Sequence, residues 1–139
     1  MKLKWAGHIT VTLSLLAVPT WSHPARSNPS PMVSIVSLIA NPTKYVGRHI
    51  QTLGFLCIAE EEETVYLSEE DYLHGLYSNS INLSLTQAQR ERAKAVNLRY
   101  VIVEGTVSLK GIRPDWPFPK LVSIHRLDEW KHHRQPPPN

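Results

Sequence analysis

The chain has 139 residues, with 15 Lys and Arg against 12 Asp and Glu, a formal net charge of +3, 42% hydrophobic residues and a single cysteine. That length suits one domain able to bury a core without covalent staples. One cysteine rules out an internal disulfide, and so small a charge excess gives no general electrostatic pull on nucleic acid or an anionic membrane.

The N-terminus reads as a secretory leader over residues 1–22. Lys2 and Lys4 make a short positive segment, Ile9 to Val18 is mostly apolar, and Pro19 breaks the run before the small residues Thr20 and Ser22. This is the layout of a signal peptide, and the apolar run is too short to span a bilayer. No cysteine lies near the cleavage point, which excludes a lipid anchor there. The leader takes Lys2 and Lys4 with it, so the mature chain is close to neutral and carries no expected transmembrane segment. Its expected location is the periplasm or the medium. Residues 23–31, "HPARSNPSP", read as a flexible linker and residues 131–139, "KHHRQPPPN", as a disordered tail, because both are Pro-rich and aperiodic. The folded domain is expected over 32–130.

In chain order, "PMVSIVSLIANP" predicts a short N-terminal helix, with Pro31 in its first turn and Asn41-Pro42 as its stop. "NPTKYVG" reads as a turn. "RHIQTLGFLCIA" is a long strand interrupted by Gly54, where a glycine marks a bulge or a bend. Cys57 lies within its apolar run and reads as a small buried hydrophobe. "TVYLS" and "INLSL" alternate as strands. Val65, Leu67, Ile81, Leu83 and Leu85 are expected inward, and Tyr66, Asn82 and Ser84 outward. Thr86 and Gln89 have capping-box spacing ahead of the helix-forming "QAQRERAKAV", with the small apolar residues Ala88, Ala95 and Val96. "YVIVEGTVSL" and "KLVSIHRL" complete five strands. The fold class is therefore mainly β. Strand, strand, strand, helix, strand, strand is the order of an OB-fold-like five-stranded Greek-key barrel with its helix between the third and fourth strands.

The segments "NPTKYVGRHIQTLGFL", "VYLSEEDYLHGLYSNSINLSL" and "YVIVEGTVS" resemble a family of small exported bacterial proteins with an OB-like barrel. The shared pattern is Asn-Pro, Tyr and Gly, then a strand ending Gly-aromatic-Leu, then Tyr-Leu-Ser. The resemblance covers roughly residues 33–108 and weakens in "IRPDWPFPK". It implies the barrel and bacterial export, and it carries over no catalytic residue and no cofactor.

"EEDYLHGLYSNS", residues 69–80, gathers Asp71, His74 and Asn79. A hydrolase built on Asp71 and His74 is one reading, but no nucleophile motif accompanies them. The other reading is a connector. Ser68 caps one helical turn whose acids face the positive helix end, and Gly75 closes it. No phosphate-binding glycine loop and no paired histidine at metal spacing is present. His132 and His133 read as a solvated tail, and His23 would be a copper ligand only as a mature N-terminus joined by a second histidine.

Binding is the remaining class. OB-like barrels bind on the face of the second and third strands with the flanking loops. Here that nominates Tyr66, Asn82, Ser84 and, from the loop "KGIRPDWPFPK", Trp116. The expected function is a non-enzymatic binding or adaptor module of the bacterial envelope, taking an envelope protein or a small polar ligand. Single-stranded nucleic acid is the runner-up. The basic and aromatic loop favours it, and the acidic "EEEE" at residues 60–63 opposes it. Mass spectrometry of the exported protein is expected to give a chain beginning near His23; a full-length cytoplasmic chain, with residues 1–22 protected from protease, would refute the leader.

Overall fold

A computed structural model describes residues 29–111 and 118–131. The leader, most of the linker, Trp116 and the tail from 132 therefore lie outside the described residues. The architecture is mainly β, a closed barrel of five strands with a few short helices. The strands are β1 (His49–Ile58), β2 (Glu63–Tyr66), β3 (Ser80–Leu83), β4 (Tyr100–Ser108) and β5 (Lys120–Glu129). The helices are α1 (Ile35–Ala40), α2 (Pro42–Tyr45), α3 (Glu69–Leu73) and α4 (Gln87–Lys94). Around the barrel the order is β1-β2-β3-β5-β4, and β4 returns to β1. All neighbours are antiparallel except β3 and β5, which run parallel through Asn82↔Lys120 and Leu83↔Leu121.

β1 is long because it serves two partners. His49 to Phe55 pair with β4, and Phe55 to Ile58 pair with β2. Gly54 sits at the handover. A Cβ there would stand 2.4 Å from the Tyr66 carbonyl oxygen, 2.5 Å from Val65 Cγ1 and 2.7 Å from Ile35 Cδ1. The glycine is thus required by space, since β1, β2 and α1 converge on it, and not by an unusual backbone angle. A second irregularity lies between β4 and β5. The register shifts between Glu104 and Thr106, Ser123 takes a left-handed φ of 50°, and the freed Ile124 carbonyl accepts from Gln89 Nε2 of α4 at 2.7 Å.

The core is filled by alternate residues of every strand, among them Ile50, Leu56, Val65, Ile81, Val101, Val103 and Leu121. α1 adds Ile35 and Leu38, both fully buried. α4 adds only Ala93, with Val96 packed against the same cluster. Ala88 and Ala95, the other small apolar residues of this segment, are exposed. The capping box of α4 forms as expected, Thr86 Oγ1 accepting from the Gln89 amide and Gln89 Oε1 from the Thr86 amide.

Four local expectations are corrected. α1 starts after Ser34, not at Pro31. Ser34 caps it, and the residues before it lie along β1, with Val33 N donating to Gln51 O at 2.8 Å and Gln51 N to Pro31 O at 2.9 Å. Ser30 also donates to Glu104 Oε1 at 2.6 Å, so the ordered unit begins inside the segment expected to be linker. "NPTKY" is one helical turn, α2, because Pro42 at its first position presets φ.

The fourth correction concerns β2. Val65 and Tyr66 are both buried, at 0% and 1% exposure, whereas Leu67 is 37% exposed. Alternation fails because the strand is covered on both sides. Outside the barrel, Phe55, Cys57 and Tyr66 form a second buried cluster under Tyr72 of α3. Its ring centroids are 5.5 Å apart for Phe55–Tyr72 and 5.6 Å for Tyr66–Tyr72, within the range of favourable aromatic pairs.

Gly54→Val is expected to lower stability by about 1–3 kcal/mol or more, the scale of overpacking a filled core, and Gly54→Ala by less. Thermal unfolding of the two variants measures it; an unchanged melting temperature for Gly54→Val would remove the close approach as a constraint.

Candidate functional site

The described residues form an open groove of about 950 Å³. Its floor is the β2–β3 face, with Thr64, Asn82, Leu83 and Ser84. One wall is the β1–β2 loop with Glu60, Glu61 and Glu62, and the other is built from Gly111, Phe118 and Lys120, which flank the β4–β5 connection. Tyr77, from the 3-10 turn Tyr77–Asn79, closes a side.

The acidic wall is held in place from behind. The β1–β2 loop is a tight turn in which Ala59 N donates to Glu62 O at 2.9 Å. Arg90 on α4 grips it. Its Nη1 pairs with Glu63 Oε1 at 2.7 Å, and its Nη2 donates to the carbonyls of Ala59 and Glu60. Glu63 uses its other oxygen to accept from Leu85 N at 3.1 Å. Both ion-pair side chains are mostly covered, so this contact is screened less than an exposed pair. Glu63 is therefore spent inside the structure, and Glu60, Glu61 and Glu62 are the carboxylates that face the groove.

The sequence-nominated residues separate into three kinds. Asn82 and Ser84 line the groove, Asn82 half-buried and Ser84 exposed. Asn82 Oδ1 accepts from Thr64 Oγ1 at 3.1 Å, which leaves its amide donors for a ligand. Tyr66, expected to face outward as a contact surface, is buried behind the wall, and its hydroxyl donates to Glu62 Oε1 at 2.6 Å. It is a positioning residue for Glu62 and not a contact surface. Trp116 lies outside the described residues, although Gly111 and Phe118 on either side of its segment line the groove.

Sequence reasoning missed Tyr77 and Arg90 as groove residues. It took the glutamates only as an obstacle to phosphate. Arg90 carried no signal beyond helix propensity, because its role depends on the β1–β2 loop arriving opposite α4. Tyr77 carried no signal in its spacing, because its place is set by the 3-10 turn.

Cys57 lies beside this wall, buried, and burial with the nearby Glu62 carboxylate pushes its thiol up to about 11. It stays protonated at neutral pH, the opposite of an activated nucleophile. Burial, with Glu62 again adding, also drives the Tyr66 phenol far above its usual range.

Asp71 and His74 do not converge. Asp71 is 8% exposed, and both its carboxylate oxygens are taken: Ser68 Oγ donates to Oδ2 at 2.5 Å and Asn79 Nδ2 to Oδ1 at 2.7 Å. Those two side-chain hydrogen bonds, Ser68 first, hold its carboxyl below the usual range. His74 is the exposed C-cap of α3, its backbone N–H donating to Glu70 O. The acid is thus the internal brace of the α3–β3 connector, as the capping reading expected. Among the described residues no group of three or more His, Cys, Asp or Glu side chains is placed to hold a metal ion, and no helix is long and apolar enough to cross a membrane.

Comparison with known proteins returns nothing significant: no family model matches the sequence, and no curated protein or solved structure does.

Asp71→Ala is expected to cost about 1–3 kcal/mol, the scale for hydrogen bonds to a charged group and a buried donor left unpaired. His74→Ala is expected to stay within about 0.5 kcal/mol, as exposed positions do. Because the folded carboxyl titrates lower than the unfolded one, the Asp71 contribution is full above the ordinary aspartate pKa of about 3.9 and is lost as pH falls through the folded value. Urea unfolding of wild type and Asp71→Ala at a series of pH values is expected to show a gap that narrows in acid.

Proposed function

We propose that this protein is an exported, non-enzymatic binding module on an OB-like barrel, acting on an envelope protein or a small polar ligand. One observation carries the reading: an open groove lies over β2 and β3, between the β1–β2 loop and Gly111, Phe118 and Lys120. That is where barrels of this type take their ligands. The parallel β3–β5 pair and the position of α4 between β3 and β4 support the assignment to the OB type. The export route rests on the leader layout and on the resemblance to small exported bacterial proteins.

The single-stranded nucleic-acid reading has Phe118 and Lys120 on its side, an aromatic platform beside a cation. Against it stand three carboxylates on the opposite wall, which repel a phosphate chain. Against the hydrolase reading, both Asp71 carboxylate oxygens are engaged by Ser68 and Asn79, and those bonds hold its carboxyl below the usual range.

The test is a pull-down from the native envelope fraction with tagged mature protein. Ser84→Arg, which fills the groove from an exposed floor position, is expected to lose the captured partner, and His74→Ala is expected to keep it. A partner retained by Ser84→Arg and lost by His74→Ala would move the site to the α3 connector and overturn the reading.

A further inference from the structure

The groove is electrically lopsided, and that lopsidedness selects a ligand. At one wall stand Glu60, Glu61 and Glu62. Glu63, the fourth acid of the run, is already neutralised by Arg90. Glu60 and Glu61 are exposed, and Tyr66 fixes Glu62 in place through its hydroxyl. Among the described residues that line the groove the other cation is Lys120, and its Nζ lies 3.5 Å from where a Cβ on Gly111 would be, which puts the ammonium at the opposite wall. The two signs are therefore separated across the width of the groove instead of cancelling.

From this asymmetry we infer that the groove of the proposed binding module takes an extended peptide segment of a partner protein carrying Lys or Arg side chains, with those side chains directed at Glu60, Glu61 and Glu62. The inference rests on the groove being the binding site and adds the class of its occupant. Charge complementarity carries it: three carboxylates on a preformed, hydrogen-bonded loop attract ammonium or guanidinium groups and exclude phosphate and carboxylate ligands. Asn82 distinguishes a peptide from a bare polyamine. Its carbonyl is occupied by Thr64, so what it offers is a pair of amide donors, and these suit the backbone carbonyls of an extended chain. Lys120 on the far wall adds a donor for the same carbonyls. Tyr77 and Phe118 also line the groove.

The experiment measures binding to the intact mature protein by fluorescence anisotropy with four probes. These are a labelled octapeptide of alternating Lys and Ser, its counterpart with Glu for Lys, a labelled single-stranded oligothymidine, and labelled spermine. The Lys peptide is expected to bind, the Glu peptide to bind about tenfold or more weakly, and raising salt from about 0.05 to about 0.5 M to weaken the Lys peptide strongly. The double variant Glu60→Gln/Glu61→Gln changes only exposed side chains, so it is expected to keep the wild-type melting temperature and lose about tenfold in affinity. Tyr66→Phe, which releases Glu62 without removing it, is expected to weaken the Lys peptide by a smaller factor. Absence of Lys-peptide binding, or binding unchanged in the double variant, overturns the inference. Oligothymidine binding tighter than the Lys peptide overturns it in favour of nucleic acid, and spermine binding as tight as the Lys peptide overturns the peptide occupant. The Ser84→Arg pull-down separates the two levels. If that variant loses an envelope partner while the Lys peptide never binds, the groove stands as the site and the cationic class fails. If Ser84→Arg keeps the partner, the groove itself fails.

Discussion

The constraint on which the rest depends is the double pairing of β1. One strand of ten residues hydrogen-bonds to β4 along its first part and to β2 along its last, and at Gly54 the neighbouring chain comes so close that no side chain fits. Ile35 of α1 reaches the same point, so the N-terminal helix, the first strand and the second are registered against one another at a single residue. Once β1 is bent there, β2 is committed to a direction across the barrel. The β1–β2 loop then lands beside α4, where Arg90 can hold it. The groove is a consequence of that sequence of placements and not a feature added to a finished barrel.

Burial on both faces of β2 explains why its charged and aromatic residues have such different fates. Tyr66 is trapped between the strand and α3, where Phe55, Tyr72 and Tyr77 surround it with rings. Its one polar atom needs a partner in that setting, and Glu62 supplies it. A hydrophobic requirement in the outer cluster thereby fixes a carboxylate at the groove. The chain of cause runs from packing to electrostatics.

Strand boundaries and the capped α4 were legible because period-two alternation and the Thr86/Gln89 pair are local signals. The connector reading of residues 69–80 was legible for the same reason, since Ser68, Asp71 and Asn79 make a cap and brace within twelve residues. The orientation of Tyr66 was not. Alternation assumes one dry face, and α3 dries the second through contacts that the strand's own sequence does not encode. Arg90 reads from the sequence only as a helix former, and its role depends on the β1–β2 loop arriving opposite it, a tertiary coincidence. Ser30 and Pro31 were read as linker from composition. Their hydrogen bonds to Glu104 and Gln51 require β1 and β4 to be in place first.

The parallel join of β3 to β5 is the shortest in the barrel, with two residue pairs and the additional Ser84 N to Leu121 O bond at 2.9 Å. It links strands far apart in the chain, so its closure entropy is among the largest the fold must overcome for the fewest ladder bonds. Local opening is easiest where backbone bonds are few, and here that place is the floor of the groove, at Asn82 to Ser84. A ligand lying across both strands would therefore act as a clasp on the join with the fewest residue pairs in the barrel. Amide protons along β3 would be shielded on its arrival even if nothing else in the barrel moved.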